Sequence, residues 1–278
     1  MLQRSDKVRL KRKDSMAIYQ DWIDPICTLS IEAGQRIMAF YVTGEHETQI
    51  KEDQSPVTDA DIAAHRIIVD RLRAMTPDIP VVSEESREHP DVQGAARFWL
   101  VDPLDGTKSF IKRTDEFTVN IALIEGGIPT FGVIYIPAQD RLFYGSQAFG
   151  AYKQEPGDFP RKITVRPQPE EGLDVVVSMS HLTPETQAFL QDVTVNTRVQ
   201  ASSSLKFCVV AEGKADLYPR FGRTMEWDTG AGHAIVLAAG GRVETVDGVP
   251  LGYAKPDFAN PGFIVYGGDA VELVVEES

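Results

Sequence analysis

The stretch Asp102-Pro103-Leu104-Asp105-Gly106-Thr107-Lys108-Ser109-Phe110 follows directly on the apolar run Phe98-Trp99-Leu100-Val101. A short continuous apolar run that stops at turn residues reads as a strand buried on both faces. Pro103 removes a backbone donor and stiffens the exit from that strand. Gly106 allows a backbone angle or a close approach that a side chain would block. In α/β proteins ligands bind in crevices at strand ends, so two acids three apart at such an exit point into a crevice. Two carboxylates about 4 Å apart repel by about 4 kcal/mol at an effective dielectric near 20, which calls for a cation between them. Hard oxygen ligands suit Mg²⁺. A strand followed by an acidic surface turn would give the same residues, so the rest of the chain must decide.

Working outward, Trp22, Ile23, Ile26, Leu29, Ile37 and Phe40 recur at helical spacing between Tyr19 and Phe40. Thr58-Asp59-Ala60-Asp61 resembles a capping box, with acids in a first turn where the helix dipole favours them. The stripe Ile62, His65, Ile68, Val69 and Leu72 continues that second helix. Ile79–Ser83 is a short strand that delivers Glu84-Glu85. The segments 117–124 and 128–136 are joined by Glu125-Gly126-Gly127, a hairpin signal, and Leu142–Tyr152 continues the sheet. The stretch from Gln154 to Pro169 is rich in Pro, Gly and charge and is read as the domain boundary. Beyond it the pattern alternates: strand 173–178, helix 184–191, strand 195–199, helix 203–211, strand 215–219, helix 228–239, strands 242–245 and 262–266. Alternating strands and helices predict a layered α/β domain. The expected organisation is a basic, disordered arm over 1–15, an N-terminal α/β domain over 16–155 that carries most metal ligands, and a C-terminal α/β domain over 156–278.

Bulk properties narrow the function. The 278 residues are 42% hydrophobic and 25% charged, ordinary for a globular protein with a sizeable core. A net charge of −13 argues against a large nucleic-acid interface. The first thirteen residues carry +5, leaving −18 for the others once that is taken from −13, and Met16 is an alternative start. Cys27 and Cys208 lie in apolar helical contexts, which suits free thiols in a reducing cytoplasm. No apolar run approaches the ~20 residues of a membrane span, so the expected location is cytoplasmic or peripheral to a membrane. A monomer and a homodimer fit equally.

Four acidic clusters fall at element ends: Asp59/Asp61, Glu84/Glu85, Asp102/Asp105 and Asp228. Each alone could be a solvated cap or turn; their shared position argues for convergence. Together they would bind two or three Mg²⁺ ions around a phosphate, one ion activating a water and another stabilising the leaving oxygen. Gly106 and Thr107 would offer backbone donors to the phosphate.

Asp102-Pro-Leu-Asp-Gly-Thr-Lys-Ser-Phe110, Ser83-Glu84-Glu85 and Trp227-Asp228-Thr-Gly-Ala-Gly232 resemble the three signatures of the inositol monophosphatase-like phosphatases, a Mg²⁺-dependent, lithium-inhibited superfamily. The resemblance runs from about residue 17 to 266. The runs Ser204-Leu-Lys-Phe-Cys208, Val210-Ala-Glu-Gly213, Leu217-Tyr-Pro-Arg-Phe-Gly222, Gly232-His-Ala234, Phe110-Ile-Lys-Arg113 and Phe117-Thr-Val-Asn-Ile-Ala-Leu123 are most similar to its 3′(2′),5′-bisphosphate nucleotidase branch. The fold implied is a layered α/β/α/β/α sandwich. Glu84, Asp102 and the Leu104 carbonyl would bind one Mg²⁺, and Asp102, Asp105 and Asp228 a second. Asp61 would pair with Thr107 to orient and deprotonate the attacking water, and Glu85 would stand nearby, behind the ligands or at a third ion. The Gly106 and Thr107 amides would hold the phosphate, and Glu84 and Asp228 would also border the substrate. Two positions depart from the pattern: Ser202, where glycine is usual in that branch, and Gly230, often alanine.

On the substrate side, Lys206 lies near the start of a predicted helix, where a cation opposes the dipole, and that misfit points to an anion such as a second phosphate. Arg220 resembles a residue near the adenine or its phosphate, His181 is a candidate for base or ribose, and Ser204 is a further substrate-side candidate. His233 reads as a packed core histidine, Trp227 as a core anchor, and Lys108, Lys112 and Arg113 as a basic rim or a solvated loop. The expected activity is removal of the 3′-phosphate of adenosine 3′,5′-bisphosphate, by in-line attack of water without a phosphoenzyme, in the recycling of a sulfur-assimilation by-product. The alternatives are an inositol or other sugar-phosphate phosphatase, and a non-catalytic sensor of nucleotide or metal.

Overall fold

The computed structural model describes residues 4–51, 55–178 and 183–268, with the backbone alone for residues 4–20. The first half runs α1 (Arg4–Thr43), β1 (Thr48–Ile50), β2 (Pro56–Thr58), α2 (Asp59–Met75), β3 (Val81–Ser83), β4 (Arg97–Asp105), α3 (Thr107–Lys112), β5 (Thr118–Glu125), β6 (Ile128–Ile136), β7 (Arg141–Ser146), β8 (Gly150–Gln154) and β9 (Arg161–Ile163). The second runs β10 (Leu173–Ser178), α4 (Pro184–Phe189), β11 (Val195–Ala201), α5 (Leu205–Ala211), β12 (Leu217–Arg220), β13 (Thr224–Met225), α6 (Glu226–Ala239), β14 (Arg242–Thr245), β15 (Ala259–Asn260) and β16 (Phe263–Tyr266).

Strands β3 to β9 form a seven-stranded sheet in chain order, parallel between β3 and β4 and antiparallel thereafter. A five-stranded sheet has the order β11-β10-β12-β16-β14. The central strand explains the layering. In β4 Trp99 and Val101 enter a core closed by α1 and α2, whereas Phe98 and Leu100 enter a second core shared with α5, α6 and the other sheet. A strand whose side chains alternate between two buried faces must be apolar throughout, as this one is. On the far side of the second sheet, Val175, Val177 and Ile264 pack with Leu190 just beyond α4. The result is the expected α/β/α/β/α sandwich.

Three differences from the sequence reading have local causes. The basic stretch expected as a disordered arm is helical from Arg4, as the first turns of α1. Extending a formed helix through residues such as Leu10, Lys11 and Arg12 adds one hydrogen bond per residue without a new nucleation step. The boundary expected at residue 155 falls between β8 and β9, two strands of one sheet, and α6 from beyond it packs on β4 to β8. The strand expected to end at Val101 continues to Asp105. Among the described residues no helix is long and apolar enough to cross a membrane.

Candidate active site

The turn at the end of β4 is built on a register shift. Asp102 pairs with Asn120 and Asp105 with Thr118, so β4 spends three steps where β5 spends two. Residues three apart on a regular strand face opposite sides; the extra residue of a bulge returns the second to the side of the first. Both acids therefore face the helix layer between the sheets. Asp102 is 1% exposed and accepts the Leu104 N–H at 3.1 Å. Asp105 accepts the Ser204 N–H at 2.6 Å, at the start of α5, and lies 3.5 Å from Asn120 Nδ2. Gly106 follows at φ +93°, where an added Cβ would collide with Ser203 Oγ, so glycine is required on both counts.

Asp61 stands at the start of α2. Its Oδ2 accepts the Thr58 N–H at 2.8 Å and the Thr58 hydroxyl at 2.6 Å, which is the backward-reaching half of a capping box. Its Oδ1 accepts the Thr107 hydroxyl at 2.9 Å, across 46 residues of sequence. Asp59, its partner in the sequence cluster, is exposed and instead accepts the Glu47 N–H at 2.9 Å. Asp228 lies in the first turn of α6 and accepts the Met225 N–H at 2.8 Å. Glu84 and Glu85 leave β3, with the Glu84 N–H donating to the Val101 carbonyl at 3.1 Å, which sets them beside the β4 exit. Lys51 donates to Glu84 Oε1 at 2.8 Å and to Glu85 Oε1 at 2.6 Å.

The acids feel one another. Burial pushes the Asp102 carboxyl well above its ordinary range, and Glu84, Asp105 and Asp228 push it further. Burial and then Asp105 raise Asp228 to about 8. Burial also raises Asp105, against the pull of Lys206 and the Ser204 N–H. Burial and Glu84 raise Glu85 to about 7 while Lys51 pulls it down. Asp61 is raised by burial in spite of its hydrogen bonds to Thr58 and Thr107. Crowded, poorly solvated carboxylates of this kind are relieved by a cation, and a set of oxygen donors without His or Cys matches Mg²⁺. Among the described residues no three such groups are drawn up as a finished ion shell; each acid is turned onto a protein donor. The fit therefore rests on donor chemistry and mutual charge. The Leu104 carbonyl lies 3.4 Å from Thr107 Oγ1, at the rim of the same turn.

A cavity of about 210 Å³ opens from Asp105, Gly106 and Asp228 toward Lys206, Tyr218 and Arg220. Lys206 is buried at the second position of α5, its Nζ 5.5 Å from the centre of the Tyr218 ring. Burial lowers it to about 8, Arg220 adds to that, and Asp105 and Asp228 oppose it. Arg220 Nε is buried without a hydrogen-bond partner, while its Nη2 donates to the Arg223 carbonyl at 3.3 Å.

Ser204 is held by protein groups. It is 1% exposed, its hydroxyl donates to Asn120 Oδ1 at 2.7 Å and sits 2.8 Å from Thr118 Oγ1, and it does not line the cavity. Ser202 and Ser203 line it instead. Ser203 adopts φ +51° and its hydroxyl donates to the carbonyls of Asp105 and Glu116 at 3.1 and 3.2 Å, tying the second half of the chain to the turn. His181 lies outside the described residues. His233 is 3% exposed and its Nδ1 is 3.1 Å from the Tyr253 hydroxyl, a packed histidine. Trp227 packs against Phe258 and His89. Sequence reasoning missed Lys51, Ser203, Asn120 and Tyr218; Asn120 and Tyr218 lay inside the motif runs already quoted, Ser203 one residue before one, and Lys51 far from any.

The sequence profile of the inositol monophosphatase family matches residues 19–274. The chain is 49% identical over 246 residues to the 3′(2′),5′-bisphosphate nucleotidase CysQ of Escherichia coli strain K12, covering 87% of this chain and 98% of that protein. It is 44% identical to the CysQ protein of Buchnera aphidicola, over 88% of this chain and 94% of that one. Among solved structures, CysQ from Bacteroides thetaiotaomicron superposes with a TM-score of 0.76 at 40% identity, over 87% of this chain and 95% of that one. An inositol monophosphatase from Anabaena superposes with a TM-score of 0.72 at 25% identity, over 90% and 92%. With its sandwich fold, its crowded acids at the β4 exit and these matches along nearly its whole length, the chain belongs to the inositol monophosphatase family.

Proposed function

We propose that the chain is a Mg²⁺-dependent phosphomonoesterase that removes the 3′-phosphate of adenosine 3′,5′-bisphosphate, giving AMP and phosphate. One observation carries the substrate: a single cleft is lined both by the acids Asp105 and Asp228 and by the cations Lys206 and Arg220. A ligand with two phosphates on one nucleoside satisfies both sets, the acids through a metal and the cations directly. The nucleotidase names of the relatives from Escherichia coli and Buchnera support the same reading. The two buried free thiols, Cys27 and Cys208, suit a reducing cytoplasm.

Glu84, Asp102, Asp105, Asp228 and the Leu104 carbonyl are the groups that would hold two or three Mg²⁺. Bound there, the metal supplies Lewis acidity to the phosphoryl oxygens and to the attacking water. Asp61 is the proton acceptor. Thr58 fixes its Oδ2 and leaves Oδ1 to Thr107. As a water gives its proton to Thr107 Oγ1, the threonine passes its own to Asp61 Oδ1 over 2.9 Å, so proton number is conserved along the relay. Burial raises the Asp61 carboxyl and so strengthens it as an acceptor. The Gly106 and Thr107 amides hold the reacting phosphate, Lys206 and Arg220 the second one, and His181 is assigned to base or ribose.

Phosphate release from adenosine 3′,5′-bisphosphate and inositol 1-phosphate, with and without Li⁺, tests this. The bisphosphate should give the higher kcat/KM, with Li⁺ inhibiting. A preference for inositol 1-phosphate would transfer the assignment to sugar phosphates. Tight nucleotide binding with no phosphate release in Mg²⁺ would point to a sensor.

A further inference from the structure

We infer that His65 is a positioning residue: through Ser83 it staples the helix that carries Asp61 to the central sheet, and so sets where Asp61 stands beside Thr107. The inference rests on the proton-relay reading above. His65 Nδ1 lies 2.8 Å from Ser83 Oγ. His65 is one turn beyond Asp61 in α2, and residues four apart share a helix face, so the contact is made on the face that also presents Asp61. Ser83 is fully buried at the last position of β3, where it pairs with Val101 of β4. Among the described residues His65 supplies the one hydrogen bond to the Ser83 hydroxyl. A buried hydroxyl left without a partner is costly, so the contact holds the two elements in register.

Asp61 cannot place itself. Thr58, which holds its Oδ2, belongs to the cap of the same helix and moves with it. Its Oδ1 meets Thr107, which stands on α3 beyond β4. The relay therefore depends on how α2 sits against the sheet. Ile68, Val69 and Leu72 bury the inner face of α2, but apolar burial is non-directional and does not by itself fix a position along the sheet. Two directional contacts do. His65 meets Ser83 near the start of the helix, and Trp99 Nε1 donates to the Thr76 hydroxyl at 2.9 Å just past its end. Thr76 is about 22 Å of helix away from Asp61, whereas His65 is only about 6 Å away, so His65 is the anchor that governs the acid. Burial, with Arg73 adding and Asp70 opposing, lowers the His65 imidazole below its ordinary value, so the staple brings no charge toward the acids. A displacement of about 1 Å would take the 2.9 Å contact between Thr107 and Asp61 out of hydrogen-bond range, and misplacement on that scale costs up to about 100-fold in rate.

The test is phosphate release by the full chain from adenosine 3′,5′-bisphosphate and from inositol 1-phosphate, for the unchanged protein, His65→Asn, His65→Gln, Ser83→Ala and His65→Gln/Ser83→Ala. Asparagine sets an amide nitrogen where Nδ1 stands and keeps the contact; glutamine reaches past it, to the position of Nε2. In His65→Gln and in Ser83→Ala kcat should fall about 10- to 100-fold, with KM within about twofold, because Lys206 and Arg220 stand on other elements. The double variant should fall no further than the worse single one, since both remove the same contact. His65→Asn should recover kcat to within about threefold of the unchanged protein. Full kcat in His65→Gln, equal losses in His65→Asn and His65→Gln, or losses that multiply in the double variant would overturn the proposal. Independently of turnover, the His65 ring nitrogen resonances should shift in Ser83→Ala; unshifted signals would also overturn it. Thermal melts separate placement from stability: a rate loss that vanishes on correction for the folded fraction counts against the staple. If inositol 1-phosphate is the better substrate, the substrate assignment falls while the same variants still decide the role of His65. Release from neither substrate by the unchanged protein would overturn both readings.

Discussion

Lys51, bridged to Glu84 and Glu85, and Lys206, which lines the cavity with Asp105 and Asp228, both border the acidic cluster, and their surroundings differ in kind. Lys51 is bridged to two carboxylates; burial alone would lower it, but Glu84 and Glu85 hold its pKa above the ordinary lysine value. Lys206 is more deeply buried, makes no hydrogen bond or ion pair among the described residues, and rests against the face of Tyr218. Burial brings it down to about 8. A paired ammonium is already neutralised within the fold, whereas a buried, unpaired one is a standing cost that an anion relieves. The acid end is thus organised by protein donors before any ligand arrives, and the cation end is left to be completed by the substrate. If this contrast is sound, changes at the two ends should separate turnover from binding.

The largest effect belongs to the acid end. Asp105→Asn keeps an oxygen to accept the Ser204 N–H and removes one charge, so the fold should survive. Turnover should fall by about 10³-fold, equivalent to roughly 4 kcal/mol of lost transition-state stabilisation at a metal site. The measurement is phosphate release at saturating Mg²⁺ and substrate. Retention of a substantial fraction of the rate would remove Asp105 from the metal set and break the contrast at its stronger end.

At the cation end the effect should be smaller and should run in two directions. Lys206→Met removes the ammonium and keeps an apolar body of similar length against Tyr218. The KM for the bisphosphate should rise about 10- to 100-fold, the value of a hydrogen bond to a charged group, with kcat changed much less. Stability should rise because the unpaired charge is gone, by about 2–4 °C in Tm for each kcal/mol regained in a domain of this size. A fall in Tm with an unchanged KM would mean that Lys206 serves packing alone.

This contrast also separates what the sequence could reveal from what it could not. Asp61, Asp102, Asp105 and Asp228 sit at element ends marked by local chemistry: a cap, a proline turn, the start of an apolar helix. Such signals need only neighbours in sequence. The bulge that turns Asp102 and Asp105 to one side depends on pairing with β5, and no local pattern announces it. The Ser204 N–H reaches Asp105 across 99 residues, so this contact was legible only as part of a motif. Lys51 lies in a polar stretch with no motif, and its meaning comes entirely from the two glutamates it meets. Most strands of the two large sheets were legible because each buries at least one face, but β9, largely exposed and inside the stretch read as a boundary, was not. The two-residue strands β13 and β15 were not, since they bury too little to leave a periodic signal.

The smallest effect is a pH dependence that only the cation end should produce. Lys206 has a folded value of about 8 against an ordinary 10.5. The folded value is the lower one, so the protonated form is disfavoured by folding. Its cost to stability is full below pH 8 and disappears as pH rises toward 10.5. Binding has the opposite sign, because a second phosphate needs the ammonium and loses it as pH rises through about 8. Above that point KM for adenosine 3′,5′-bisphosphate should rise by up to about tenfold per pH unit, the limit for one proton. Adenosine 3′-monophosphate, which lacks the second phosphate, should show no such limb, and Lys206→Met should lose it with the bisphosphate. Because both substrates meet the same acids, any titration at the acid end is common to the two profiles and cancels in their ratio. A KM ratio that stays flat from pH 7 to 9.5 would show that Lys206 is not the group that receives the second phosphate.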